Sequence, residues 1–218
     1  TRAMLIRHRT RVGNSIRAHL GEFGIVAPIG RNGLYRLIEI IEDEEDVTIT
    51  DITRHCLAHL AGQYRLLQEQ ILDLDRQINK SHRASEMSRR LATIPGIGPL
   101  AASALVATIG NASAFKSGRS LAAFLGLVPR QSSSGGKEKL GRISKRGDAY
   151  LRWLLVAGAM AVVRYAQRHG TRRPWLVQLL ARRPGKTAIV ALANKMARMA
   201  WALMVSGETY REPETQAS

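Results

Sequence analysis

The run Ser132-Ser133-Ser134-Gly135-Gly136-Lys137 sets three hydroxyls beside two glycines and a cation. Glycines let a backbone approach a phosphate closely, and a serine that loses its proton attacks phosphorus. Arg130, Lys137, Arg142, Lys145 and Arg146 flank the run. Their charge would stabilise negative charge developing on a phosphoryl group. No histidine or acid near the loop has an evident role as base. The residue types therefore leave two readings open, a loop that contacts phosphate or a loop that attacks it.

A second phosphate signal lies upstream. Leu91-Ala92-Thr93-Ile94-Pro95-Gly96-Ile97-Gly98-Pro99-Leu100 resembles a helix-hairpin-helix motif. Ile94 and Ile97 would anchor the turn, while amides from Gly96 and Gly98 onward open the second helix. Free N–H groups at a helix start bind phosphate oxygens without reading base identity. Other candidates are weaker. His55 and His59 lie four apart with no further ligands nearby, so no metal site is expected. Arg183-Pro184-Gly185-Lys186-Thr187 ends like a Walker A loop, but Leu180 stands where its first glycine belongs. Trp153, Trp175 and Trp201 read as core residues, and Cys56 as a small buried hydrophobe. The acids from Glu39 to Asp51 read as a solvated loop.

Charge supports a polyanion partner. The 218 residues carry 33 Lys+Arg against 17 Asp+Glu, a net charge of +16. Thirteen cations against two acids fall between Lys137 and Lys186. A hydrophobic content of 45% excludes a disordered basic tail, and one cysteine excludes an internal disulfide. The longest apolar run, Trp153 to Val163, is short for a membrane span, so no membrane partner and a cytoplasmic setting are expected.

Helical periodicity must position these residues, and period-2 patterns are nearly absent, so the expected fold class is all-α. Helices are expected over 2–23, 34–41, 88–109 in two pieces, 119–125, 148–168, 174–182 and 187–205. Leu57, Leu60, Tyr64, Leu67, Ile71, Leu74 and Ile78 form an a/d heptad seam. It would pair subunits as a coiled coil, pack on the first helix of the same chain, or do both. The expected regions are 1–90, with the basic helix and coiled coil, then 91–206, with the hairpin at 91–110 and the serine loop at 129–147. A frayed tail is expected over 207–218.

The strings Leu-Gly-Leu-Val-Pro-Arg-Gln, Ser-Ser-Gly-Gly-Lys and Leu-Gly-Arg-Ile-Ser-Lys-Arg-Gly-Asp, from Leu125 to Asp148, resemble the C-terminal half of IS110/IS1111-family transposases. The likeness extends over Ile94–Gly110 and the Glu22-Phe23-Gly24-Ile25 segment, covering residues 1 to about 205. The resemblance implies a DNA recombinase guided by a structured bridge RNA. Such an enzyme pairs a RuvC-like, Mg²⁺-binding N-terminal domain with a C-terminal domain carrying a nucleophilic serine. That serine falls on Ser133, with Ser134 the alternative. The residues expected to contact nucleic acid are Gly96, Gly98, Arg130, Lys137, Arg142, Lys145, Arg146 and Arg152. Double-stranded DNA, bridge RNA and a second copy, as dimer or tetramer, would be the partners, and the nucleoid the setting. No strand bearing a catalytic acid precedes Thr1, so this stretch is expected to lack the RuvC-like domain, to hold no cofactor and to cleave poorly alone. The alternative function is a non-catalytic helical module for nucleic-acid binding and dimerisation.

Overall fold

The computed structural model describes residues 1–45, 47–131, 140–170 and 173–212. The chain divides into two compact units, Thr1–Gln77 and Ile78–Ser218, so the division falls inside a helix.

The first unit is built from α1 (Arg2–Glu22), α2 (Arg31–Glu42) and the greater part of α3 (Asp51–Ala84). Ile16 and Leu20 of α1 pack with Leu34, Leu37, Ile38 and Ile41 of α2 and with Leu57, Ala61 and Tyr64 of α3. Helix α1 runs antiparallel to α3, since Arg2 pairs with Asp75 and Arg9 donates to Gln68 at 2.5 Å. Arg54 donates to the carbonyls of Ile40 and Ile41 at 2.8 and 3.1 Å, satisfying oxygens that the end of α2 would leave bare. Within the heptad seam, Leu57, Tyr64, Leu67 and Ile71 are buried, and Leu60, Leu74 and Ile78 are half-buried. Leu57, Leu60 and Tyr64 take their cover from the chain's own α1 and α2. Cys56 is exposed, contrary to the buried hydrophobe expected, because it points away from that seam. His55 and His59 are exposed with their rings edge to face.

The second unit continues with α4 (Glu86–Leu91), α5 (Pro99–Ile109), α6 (Gly118–Phe124), β1 (Pro129–Gln131), β2 (Leu140–Ile143), α7 (Ala149–His169), α8 (Pro174–Arg182) and α9 (Gly185–Ser206). The fold is all-α, with one short antiparallel strand pair that the sequence did not announce. Helices α7 and α9 pack together at the centre. Leu151, Leu155, Ala159 and Val163 meet the small face of Ala193, Met196, Ala197 and Ala200. Both helices have the length and apolarity of membrane spans, with mean hydropathy 1.2 and 1.3, and their buried faces form this core. Leu91, Ile94, Ile97 and Leu105 of the α4–α5 hairpin and Leu121 of α6 complete it.

Side-chain caps start several elements. Ser85 accepts from the Ser88 amide, Ser117 from Ser120 and Asp148 from Leu151. Pro99 and Pro174 open α5 and α8 at a position whose amide would have no helical partner. The segment after α9, expected to fray, is held as far as Glu212. The Tyr210 amide donates to Thr93 Oγ1 at 2.9 Å, and Arg173 pairs with Glu212.

Candidate nucleic-acid interface

The strands on either side of residues 132–139 in the sequence form a braced stem. Strands β1 and β2 pair with Pro129 opposite Ile143 and Gln131 opposite Leu140. Below them Ser144 donates its amide to Val128 at 2.8 Å, and Lys145, in the left-handed region at φ 55°, donates to Gly126 at 3.1 Å. The two legs cross at glycines. A Cβ on Gly126 would lie 2.1 Å from the Arg146 carbonyl oxygen, and one on Gly147 would lie 1.7 Å from that of Phe124. Both glycines also have positive φ, so no other residue fits either place. Arg152 clamps the crossing, donating to the carbonyls of Leu125 and Arg146 at 2.9 and 3.2 Å. Asn194 of α9 donates to the Leu127 carbonyl at 3.1 Å. The stem is thereby fixed to both central helices.

Beside the stem lies a groove of about 1890 Å³, walled by β2, the start of α6 and one face of α9. Arg119, Arg142, Lys145, Lys186, Lys195 and Arg198 line it, and no acid does among the described residues. Its apolar floor includes Leu127, Val190, Ala191, Met199, Trp175 and Trp201. Six cations without a counter-charge create a positive channel suited to a phosphodiester backbone. Lys195 is the most constrained. Its ammonium sits 4.2 Å from the centre of the Trp175 ring, and burial, then the nearby Arg198 charge, lower its pKa from the usual lysine value. Trp201 donates to the carbonyls of Ala112 and Phe115, both at 3.1 Å, which braces the turn leading into α6.

The structure distributes the expected site residues unevenly. Arg142 and Lys145 line the groove. Arg130 and Arg146 are exposed on the stem. Arg152 directs a guanidinium nitrogen at stem carbonyls, a positioning task. Ser133, Ser134 and Lys137 lie outside the described residues. Gly98 is exposed and caps α5. Gly96 faces inward, where a Cβ would lie 2.9 Å from the Gly158 carbonyl oxygen of α7. The groove also uses Lys186, seen in the sequence only in the rejected Walker A-like string, and Arg119, Lys195 and Arg198, none of which the motifs marked. In the middle of α9, Arg198 follows Asn194 by four residues and Lys195 by three, the one available signal of a shared wet face.

The second unit is thus a helical unit with a basic groove. Residues 88–173 match the model of the Transposase IS116/IS110/IS902 family. The chain is 45% identical to the "Probable family 20 transposase" of Pseudomonas aeruginosa, with 96% of this chain and 63% of the relative covered. It is 39% identical to the transposase for insertion sequence element IS1111A of Coxiella burnetii, covering 96% and 58%. It is 38% identical to that for IS1328 of Yersinia enterocolitica, covering 96% and 62%. Over nearly all of its length the chain is similar to transposases of the IS110/IS1111 group. It spans about three fifths of the length of these curated relatives.

Proposed function

We propose that this chain supplies the DNA-gripping and strand-cleaving part of a DNA transposase. The observation that carries the reading is the groove of six cations at the foot of the stem that bears the serine loop. Double-stranded DNA would lay one phosphate backbone along Arg119, Arg142, Lys145, Lys186, Lys195 and Arg198, with the Gly98 end of α5 as a second backbone anchor. Ser133 Oγ would then attack a phosphorus. The Oγ–P bond forms, and the bond from phosphorus to the 3′ or 5′ deoxyribose oxygen breaks. The serine proton passes to a base of the remainder of the enzyme, and the leaving oxygen takes up a proton as a hydroxyl. Groove cations would stabilise the charge on the phosphoryl oxygens meanwhile.

Family resemblance supports the rest. The base and Mg²⁺ are assigned to an acidic RuvC-like domain, the guide to a bridge RNA, and the working unit to a homo-oligomer. Among the described residues no three His, Cys, Asp or Glu side chains converge. The test uses the full-length enzyme. Ser133→Ala should abolish the covalent protein–DNA adduct and slow cleavage by roughly 10⁴-fold or more. Loss with Ser134→Ala instead moves the nucleophile to Ser134. An enzyme indifferent to both changes has no serine nucleophile here.

A further inference from the structure

The first turn of α7 carries two aromatic rings that the core does not use. Tyr150 and Trp153 lie nearly parallel, 20° apart with centroids separated by 6.1 Å. They are 37% and 56% exposed. Trp153 thereby departs from the core role expected of all three tryptophans. Trp175 faces Lys195, and Trp201 donates to two carbonyls. Further along α7, Arg164, Tyr165, Arg168 and His169 are also exposed, with Tyr165 at 65%. The whole helix contains no Asp or Glu. Flat rings in a positive field suit a ligand with flat rings and a negative backbone. A second copy docked α7 on α7 would oppose arginine to arginine.

We propose that Tyr150 and Trp153 are a stacking shelf for unpaired bases of the DNA strand whose backbone occupies the basic groove. The proposal rests on the groove reading above. Lys145 lines the groove and precedes Tyr150 by five residues, at most about 17 Å of extended chain. Bases inside a duplex stack on one another and present no free face. A strand that is cut and joined to a new partner must leave its complement, and its bases then need a surface.

The test measures binding by the whole chain to a 20-nucleotide oligo(dT), an oligo(rU) of equal length and a 20-base-pair duplex. Tyr150→Ala with Trp153→Ala should weaken oligo(dT) binding about tenfold or more and leave duplex binding within about twofold. Tyr150→Phe with Trp153→Phe keeps the stacking faces and should retain most of the affinity, which separates stacking from misfolding. Arg142→Glu with Lys145→Glu should weaken both DNA ligands. If it changes neither, the groove reading fails, while a selective oligo(dT) loss in the alanine variant still supports the shelf. Equal losses on oligo(dT) and duplex overturn the proposal. So does a loss confined to oligo(rU), or a fall in oligomeric mass with oligo(dT) affinity unchanged.

Discussion

At position 195 an ammonium is half-buried over the Trp175 ring and close to Arg198. Burial and the neighbouring charge both disfavour its protonated form, so its pKa is lowered when folded. The unfolded chain keeps the ordinary value near 10.5. Between the two values the native state binds fewer protons than the unfolded state, so stability rises with pH across that window. Below the window the cost of the charge is present in full. Lys195→Met retains the stem and a sulfur contact with the ring. It should therefore raise stability at pH 7 by a fraction of a kcal/mol and remove the alkaline rise. Denaturant melts at pH 7 and pH 10 check both. A phosphate in the groove would reverse the sign at this residue by favouring its charged form. On the groove reading, Lys195 would lose stability in the free protein and recover it when a phosphate is bound.

At the scale of elements, the α4–α5 hairpin is held by backbone-to-backbone contact with α7. Gly96 turns at φ 91°, and a Cβ on Gly158 would lie 1.9 Å from its carbonyl oxygen. Neither neighbour is a flexible side chain that could move aside. Gly158→Ala should destabilise by about 1–3 kcal/mol. A thermal melt should show this as a fall of about 3–10 °C. If the hairpin anchors DNA, duplex affinity should fall with it. The helices themselves were legible. Asp148 as N-cap and Pro174 as first helical residue mark the starts of α7 and α8, and the seam from Leu57 to Ile78 marks α3. The cover on that seam was not legible, because a heptad stripe looks the same whether the facing helix belongs to this chain or another. The stem of the serine loop was invisible for another reason. Strands of three and four residues, one beginning with proline, are too short to show alternation. What holds them is the crossing at Gly126 against Arg146 and Gly147 against Phe124, contacts between residues 20 and 23 apart.

At the scale of the whole molecule, the net charge of +16 announced a polyanion and left its track unspecified. The dense stretch from Lys137 to Lys186 contributes only Arg142, Lys145 and Lys186 to the described groove. Arg119, Lys195 and Arg198 come from outside it, brought in because α6 and the stem both pack on α9. Local charge density therefore misjudged which cations act together, and only the packing of α9 corrects it. The distinction can be measured. Each phosphate neutralised on duplex DNA contributes about −0.9 to the slope of log affinity against log salt. Six groove contacts predict a slope of about −5.4, and Arg119→Ala with Arg198→Ala should reduce it to about −3.6. Arg182 and Arg183 lie inside the dense stretch, are exposed, and do not line the groove. Replacing both with alanine removes the same formal charge and should leave the slope near its original value. If the two double variants change the slope equally, DNA responds to the general positive field and the groove is not its track. A selective effect of Arg119 and Arg198 would instead place the phosphates along α9, beside the stem formed by β1 and β2.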